Sequence, residues 1–199
     1  GSRGGARRGA VGTNIRVKLK LSLLEIANGI EKKIKFKRMV LADGVSFNTC
    51  STCKGTGTVR RVTQTILGAM QTASTCNTCG GSGKVVNSRP AGVGPDGLIA
   101  KEEIVTVKIP AGVADGMQLS MSGRGNMAPG GGPSGDLLIL IEEEEDEFLK
   151  RDGNNIFYDL FISFPDAALG TSVEVPTVDG KAKIKIDAGT QSGKILRLR

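Results

Sequence analysis

Apolar and polar residues alternate with a period of two along several stretches of the chain. Between Ile15 and Leu21 every second residue is apolar, and the residues between them are Arg or Lys. Ile34 and Phe36 alternate with lysines in the same way. This period is typical of β-strands with one apolar face and one basic face. Two further apolar runs, Ile104 to Ile109 and Leu137 to Ile141, predict two more strands, so we expect a mostly β protein.

Two short helices are predicted where the alternation stops. Ser22 precedes a short run of helix-forming residues that ends before Gly29. A serine is a good N-cap and a glycine often follows the last helical residue, so one helical turn fits between them. The same pattern recurs from Ser163 to Leu169.

The chain also matches itself in two places. The segment NIRVKLKLSLLEIANG, from Asn14, aligns with NIFYDLFISFPDAALG, from Asn155, at an offset of 141 residues. Farther on, VKIPAGVADG, from Val107, aligns with IKIDAGTQSG, from Ile184, at an offset of 77. The difference, 141 minus 77, leaves 64 additional residues between the two blocks of the first copy, and all four cysteines lie there. We therefore expect two related β-domains, the first of them carrying an insertion.

These matches predict the domain boundaries. Residues 1–13 form a flexible Arg/Gly-rich tail, residues 14–40 with 101–146 form β-domain I, 41–100 form the inserted finger, and 147–199 form β-domain II. In the second copy the gap is filled by TSVEVPTVDGKAK, which predicts a tight hairpin around Asp179-Gly180. No counterpart of the strand Leu137 to Ile141 follows before Arg199, so we expect β-domain II to be incomplete.

Composition argues against several functional classes, namely nucleic-acid-binding, secreted and membrane proteins. The 199 residues carry a net charge of +7, but only 4% are aromatic, and residues 142–147 are all acidic. Basic residues interleaved with aromatic ones are typical of nucleic-acid binding, so that function is a weaker alternative here. No apolar stretch resembles a signal peptide or a membrane span. We expect a cytoplasmic protein that contacts neither membrane nor nucleic acid.

The four cysteines stand in two copies of one motif, C-x-x-C-x-G-x-G, which cover residues 50–57 and 76–83. Two residues between cysteines allow both sulfurs to bind one tetrahedral ion, and residues 58–75, with a turn near Gly68-Ala69, can return as a hairpin. We expect one zinc ion per chain with a structural role, because four ligands leave no open position. Redox-active C-x-x-C pairs and two disulfides are the alternatives. The predicted ligands are Cys50, Cys53, Cys76 and Cys79.

This motif, inserted in the first of two related β-domains, resembles the C-terminal substrate-binding region of the DnaJ-type (class I) J-domain co-chaperones. The resemblance runs from NIRVKLKLSLLEIANG through GDLLILIEE and FLKRDGNNIFYDL to KIKIDAGTQSGKILRLR. It implies two β-sandwich-like domains and a non-enzymatic protein that binds unfolded polypeptides and delivers them to a DnaK-type heat-shock ATPase. It also implies a homodimer in the full-length protein. The alternative function is a disulfide oxidoreductase or isomerase.

The chain departs from the family pattern in two ways. Members usually carry four such motifs and two zinc ions, whereas two motifs stand here and resemble the middle pair, so we expect the reduced finger to lack the first zinc centre. The family's His-Pro-Asp motif is also excluded, because the chain contains no histidine. We therefore expect no stimulation of ATP hydrolysis by this chain.

The resemblance further implies an apolar groove for client peptides on β-domain I. Main-chain pairing at a sheet edge would supply affinity there, and the groove would select apolar side chains. Alternation alone favours the interpretation of the same residues as core, and the resemblance brings the groove to equal standing with it. The residues concerned are Ile15, Ile34, Phe36, Val105 and Ile139.

Overall fold

A computed structural model describes residues 11–65 and 68–198 of the chain. Most of the tail predicted for residues 1–13 therefore lies outside the described residues. The protein is mostly β, as the alternation predicts. The strands are β1 (Ile15–Leu21), β2 (Ile30–Leu41), β3 (Ser46–Thr49), β4 (Thr58–Thr65), β5 (Gly68–Thr75), β6 (Lys84–Ser88), β7 (Leu98–Ile109), β8 (Gln118–Met121), β9 (Leu137–Glu143), β10 (Leu149–Asp152), β11 (Asn155–Tyr158), β12 (Thr171–Thr177) and β13 (Gly180–Ile186).

Two short α-helices and one 3-10 turn interrupt the strands. Helix α1 is Leu23–Asn28, helix α2 is Phe164–Leu169, and the 3-10 turn is Pro129–Gly131. In the part of the chain that the structure describes, neither helix has the length and apolar character needed to cross a membrane.

The described residues form two compact units. The first contains residues up to 19, residues 32–107 and residues 118–140. The second contains residues 20–31, 108–117 and 141 onward. Both units draw on segments that are distant in sequence, so each is held together by long-range strand pairing.

A three-stranded sheet with the order β1-β9-β8 contains the most deeply buried apolar row. β8 and β9 are antiparallel, with Leu119 opposite Ile139. The Ile15 N–H donates to Asp136 O at the start of β1, and the Glu144 N–H donates to Leu21 O at its end. Because these bonds join start to start and end to end, β1 and β9 run parallel. Fully buried apolar side chains of the sheet are Leu21, Leu137, Ile139 and Ile141.

The two repeat copies share their local geometry. Ser22 and Ser163 cap α1 and α2 by accepting a hydrogen bond from the N–H three residues later. Gly29 and Gly170 follow the helices with φ of +72° and +83°. A Cβ on Gly29 would lie 2.9 Å from Ile109 O. Both positions therefore require glycine, and the match at offset 141 reflects one backbone design.

Within each repeat copy, a hydrogen bond joins the two sequence blocks that match the other copy. The Gly112 N–H donates to Ile26 O at 2.8 Å, and the Gly189 N–H donates to Ala167 O at 2.9 Å. The donors differ by 77 residues and the acceptors by 141, as the two sequence matches require. The repeat is thus a repeat of hydrogen bonding as well as of sequence.

The predicted hairpin of the second copy forms between β12 and β13. The strands pair antiparallel from Thr171 opposite Ile186 to Thr177 opposite Gly180. Gly180 is already in β13, so the turn is Val178-Asp179, one residue before the predicted position. The equivalent strands of the first copy, β2 and β7, also pair with each other.

The insertion is built from two antiparallel strand pairs. β3 pairs with β6, and β4 pairs with β5 in a hairpin that runs from Thr58 opposite Thr75 to Thr65 opposite Gly68. The hairpin confirms the predicted return of residues 58–75. Gly68 and Ala69 belong to β5, so the predicted turn position is wrong, and residues 66–67 between the two strands lie outside the described residues.

Candidate metal centre

Two knuckles of identical form place the cysteines. In each, the residue after the second cysteine adopts a positive φ, +52° at Lys54 and +58° at Gly80. The chain then turns back, so the N–H of Gly57 donates to Cys53 Sγ at 3.3 Å and that of Gly83 donates to Cys79 Sγ at 3.2 Å. These amides stabilise negative charge on sulfur, as a metal thiolate requires.

The knuckles complete one another through their backbones. The Cys50 N–H donates to Gly83 O, and the Cys76 N–H donates to Gly57 O, both at 2.9 Å. Each of these hydrogen bonds at one knuckle has its counterpart 26 residues away at the other. The finger therefore has an approximate two-fold axis through the cysteine cluster.

Close packing explains the last glycine of each motif. A Cβ on Gly57 would lie 2.3 Å from Gly81 O, and one on Gly83 would lie 2.4 Å from Gly55 O. Both glycines also have positive φ, +71° and +75°. The last glycine of each C-x-x-C-x-G-x-G motif is therefore required by steric contact across the two-fold axis.

The four sulfurs fit a tetrahedral zinc site. Cys50 Sγ lies 3.9 Å from Cys76 Sγ, and Cys53 Sγ lies 3.7 Å from Cys79 Sγ. All four sulfur atoms lie within 4.8 Å of one another. A tetrahedral zinc with Zn–S bonds of about 2.3 Å requires S···S distances of about 3.8 Å, so the cluster has the size of that coordination shell. All four cysteines are free thiols, which excludes the two-disulfide alternative in this structure.

Backbone N–H groups and burial shift the pKa values of the cysteine thiols in opposite directions. The N–H of Cys79 lowers the pKa of the Cys76 thiol to about 7, and the N–H of Cys53 lowers the pKa of the Cys50 thiol. Burial raises the pKa of the Cys53 thiol. Backbone N–H groups thus favour the thiolate form of Cys50 and Cys76, whereas at Cys53 the effect of burial outweighs the hydrogen bond from Gly57.

The cysteines are the interior of the finger. They are at most 7% exposed, and the apolar side chains packed against them are Val59 and Val85, both partly buried. Every described side chain of β5 is exposed. The finger tip therefore has almost no apolar core apart from sulfur.

The base of the finger, unlike the tip, has apolar contacts, and these were not predicted. Phe47 and Val86 are cross-strand neighbours in the β3–β6 pair. Their side chains, with that of Val45, all lie close to Gly97, where an added Cβ would be 2.9 Å from Val45 Cγ1. Phe47 also approaches Gly131 in the 3-10 turn. Isolated apolar residues between glycine-rich segments were the signal that could have identified this packing.

The five predicted groove residues lie on two sheets. Ile34 and Phe36 on β2 and Val105 on β7 are 6% to 7% exposed. Ile139 on β9 is fully buried, and Ile15 on β1 is half-buried. Their assignment as a client groove stays a prediction. Ile15 is the one of the five that offers a partly accessible side chain.

A buried ion pair ends the apolar row of β2 and was not predicted. Arg38 is 9% exposed and lies 3.3 Å from Glu103, which also pairs with Arg124. The Arg38 guanidinium donates to Gly123 O and to Ser134 Oγ as well. It therefore ties both ends of the β8–β9 connection to β2. Arg38 follows Ile34 and Phe36 at the next alternating position of β2, where an apolar residue would be expected. A charged residue at that position was the sequence feature that could have predicted a buried ion pair.

Comparison with known proteins gives a consistent result. The family model described as "DnaJ C terminal domain" matches residues 15–199. The protein named "Chaperone protein DnaJ" from Bacteroides thetaiotaomicron is 56% identical over 198 residues, covering 94% of this chain and 50% of that protein. Its namesake from Porphyromonas gingivalis is 52% identical, covering 98% of this chain and 54% of the relative. The namesake from Chlorobaculum tepidum is 45% identical, covering all of this chain and 52% of the relative.

The chain thus spans about half the length of the curated relatives it matches. These relatives are named as chaperones, a non-enzymatic activity. This agrees with the expected binding protein and not with a disulfide oxidoreductase.

Proposed function

Because the chain belongs to the DnaJ C-terminal domain family, we propose that it is the client-binding part of a co-chaperone that holds unfolded or apolar polypeptide segments. The family match over residues 15–199 carries this proposal, since it covers the finger and both repeat copies together. The proposal extends to the rest of the protein: delivery of the client to a DnaK-type ATPase, homodimerisation at full length and a cytoplasmic location.

The finger contributes a structural centre with one zinc ion per chain, held by Cys50, Cys53, Cys76 and Cys79. A bound zinc would supply four strong bonds to sulfur and no open coordination position. The Gly57 and Gly83 amides would orient two of the thiolates and lower their basicity. The chemistry supports a fold-stabilising role rather than catalysis, and it leaves the finger free to take part in client transfer.

The groove proposal rests on the apolar face of β-domain I. Ile15, Val17 and Leu19 alternate on β1 and are all half-buried, while Arg16, Lys18 and Lys20 between them are exposed. The remaining residues of the proposed groove are buried: Ile34 and Phe36 on β2, Val105 on β7 and Ile139 on β9. An extended client strand would contribute main-chain hydrogen bonds, and its apolar side chains would contact the accessible part of this face.

A binding experiment tests the function directly. An uncharged apolar peptide with a fluorescent label is titrated with the zinc-loaded chain, and anisotropy gives the dissociation constant. We expect Ile15→Ser to weaken binding about ten-fold, which is the effect of losing roughly 1.4 kcal/mol of apolar contact.

Arg16→Ser is the matched control, because its exposed side chain lies on the opposite face of β1. The control should stay within about two-fold of the wild type. Equal affinity for Ile15→Ser and the wild type would overturn the groove at β1. Absence of any binding by the wild type would overturn the client-binding function itself.

A further inference from the structure

An acidic segment connects β9 to β10. Residues 142–147 read EEEEDE, and they overlap the end of β9 and the connection to Leu149. Six adjacent acidic residues repel one another, so a compact connection needs counter-charge or hydrogen-bond donors nearby. The described structure provides both.

Arg151 on β10 supplies the counter-charge. Its Nη1 donates to Glu143 Oε2 at 2.9 Å and to Val113 O at 3.0 Å, and its Nε donates to Gly153 O at 2.9 Å. The Arg151 and Glu143 side chains are only 15% and 20% exposed. One guanidinium therefore joins the end of β9, the loop after β7 and the β10–β11 turn.

The neighbouring ion pair shows that this burial is specific. Lys150 and Asp159 lie 3.6 Å apart, but their side chains are 79% and 77% exposed. Pairs so exposed contribute little to stability, whereas breaking a partly buried pair leaves a charge without compensation. Two residues adjacent in sequence thus form ion pairs with very different consequences.

Backbone amides brace both ends of the acidic segment. The Asp146 carboxylate accepts hydrogen bonds from the N–H groups of Phe148 and Leu149. Asp115 accepts one from the Glu143 N–H at 2.8 Å. Each of these hydrogen bonds is local to one end of the acidic segment. The order of the whole β9–β10 connection therefore depends on a side chain that joins the end of β9 to β10.

We infer that Arg151 is a latch: its guanidinium holds the strand that opens the second repeat copy against the last strand of the first, and keeps the acidic segment ordered. The planar fork reaches two carbonyls and a carboxylate at once, which the ammonium of lysine cannot do with the same geometry. Residues 144–147 are already exposed, so loss of the latch removes order rather than cover: the β9–β10 connection becomes a flexible joint that fits a protease active site.

Limited proteolysis of the zinc-loaded 199-residue chain tests the latch. A protease that cleaves after glutamate is used, and mass spectrometry follows cleavage within residues 142–147 and, as an internal reference, after Glu174 in β12. We expect Arg151→Ala to raise the rate within 142–147 about ten-fold without an equal rise after Glu174. Glu143→Gln should act in the same direction, and Arg151→Lys should restore less than half of the lost protection.

Lys150→Ala is the matched control and should change neither rate by more than two-fold. The inference fails if cleavage of Arg151→Ala within 142–147 stays within two-fold of the wild type. It also fails if cleavage after Glu174 rises by the same factor, because Arg151 would then be an ordinary stabilising residue. Full protection of Arg151→Lys would show that charge alone suffices and would overturn the role of the fork.

Discussion

The finger tip and the β1-β9-β8 sheet are stabilised in different ways. The interior of the tip consists of four cysteines, and the strands of its hairpin are exposed. The sheet buries Leu21, Leu137 and Ile139 completely. One region therefore depends on sulfur ligands and the other on removing apolar surface from water. Because of this difference, we expect that the finger tip can unfold while the β1-β9-β8 sheet stays folded.

The largest expected effect comes from removing the metal or one ligand. Chelation or Cys76→Ser should unfold the finger tip, because structural zinc contributes on the order of 10 kcal/mol in small fingers. Hydrogen exchange at the Gly57 and Gly83 amides measures the loss, while amides of β9 should stay protected. Asn77→Ser, an exposed change in the same knuckle, should leave exchange unaltered. Protection of both glycine amides after complete zinc removal would refute the proposed dependence.

A smaller effect, on the opposite region, is expected from Ile139→Ala. The substitution removes a fully buried side chain and should lower the free energy of unfolding by about 3 kcal/mol. Denaturant unfolding measures it, and zinc content should remain one per chain. Ile104→Ala is the control, because that side chain is 63% exposed and its loss should cost less than about 0.5 kcal/mol. Loss of zinc from Ile139→Ala would show that the two regions are coupled.

The smallest of the three expected effects is a steric one, confined to the finger tip. Gly57→Ala places a Cβ 2.3 Å from Gly81 O, so the knuckles must separate. We expect zinc affinity to fall about 10- to 100-fold, as for other changes next to metal ligands. Competition with a chromophoric chelator measures it. Gly80→Ala has a similar positive φ of +58° but no atom within 4 Å, so it isolates the backbone strain. Equal affinities for the two variants would exclude the contact with Gly81 as the cause.

The sequence predicted most of the local structure correctly. Alternation identified β1, β2 and the core of β7 and β9, and Ser22 and Gly29 marked the ends of α1. These features depend on near neighbours in the chain. The cysteine cluster was also predicted, because a metal site imposes a spacing that the sequence displays directly.

Contacts between distant segments could not be predicted. Nothing near Arg38 indicates Glu103, and nothing near Arg151 indicates Val113, since both contacts depend on the final arrangement of strands. The packing of Phe47 against Gly97 and Gly131 has the same origin. The prediction of a turn near Gly68-Ala69 was wrong because a glycine suggested a turn, whereas pairing with Thr65 puts Gly68 in β5.

The exchange of backbone hydrogen bonds between the knuckles has a consequence for biosynthesis. Cys50 needs Gly83 O and Cys76 needs Gly57 O, so neither knuckle is finished alone. Ribosomes add about 5–20 residues per second, so the second motif follows the first, 26 residues earlier in the chain, after about one to five seconds. During this interval the nascent chain presents two thiols with half of a coordination shell. Capture of the proposed zinc ion by all four cysteines would therefore have to wait until the second motif has been synthesised.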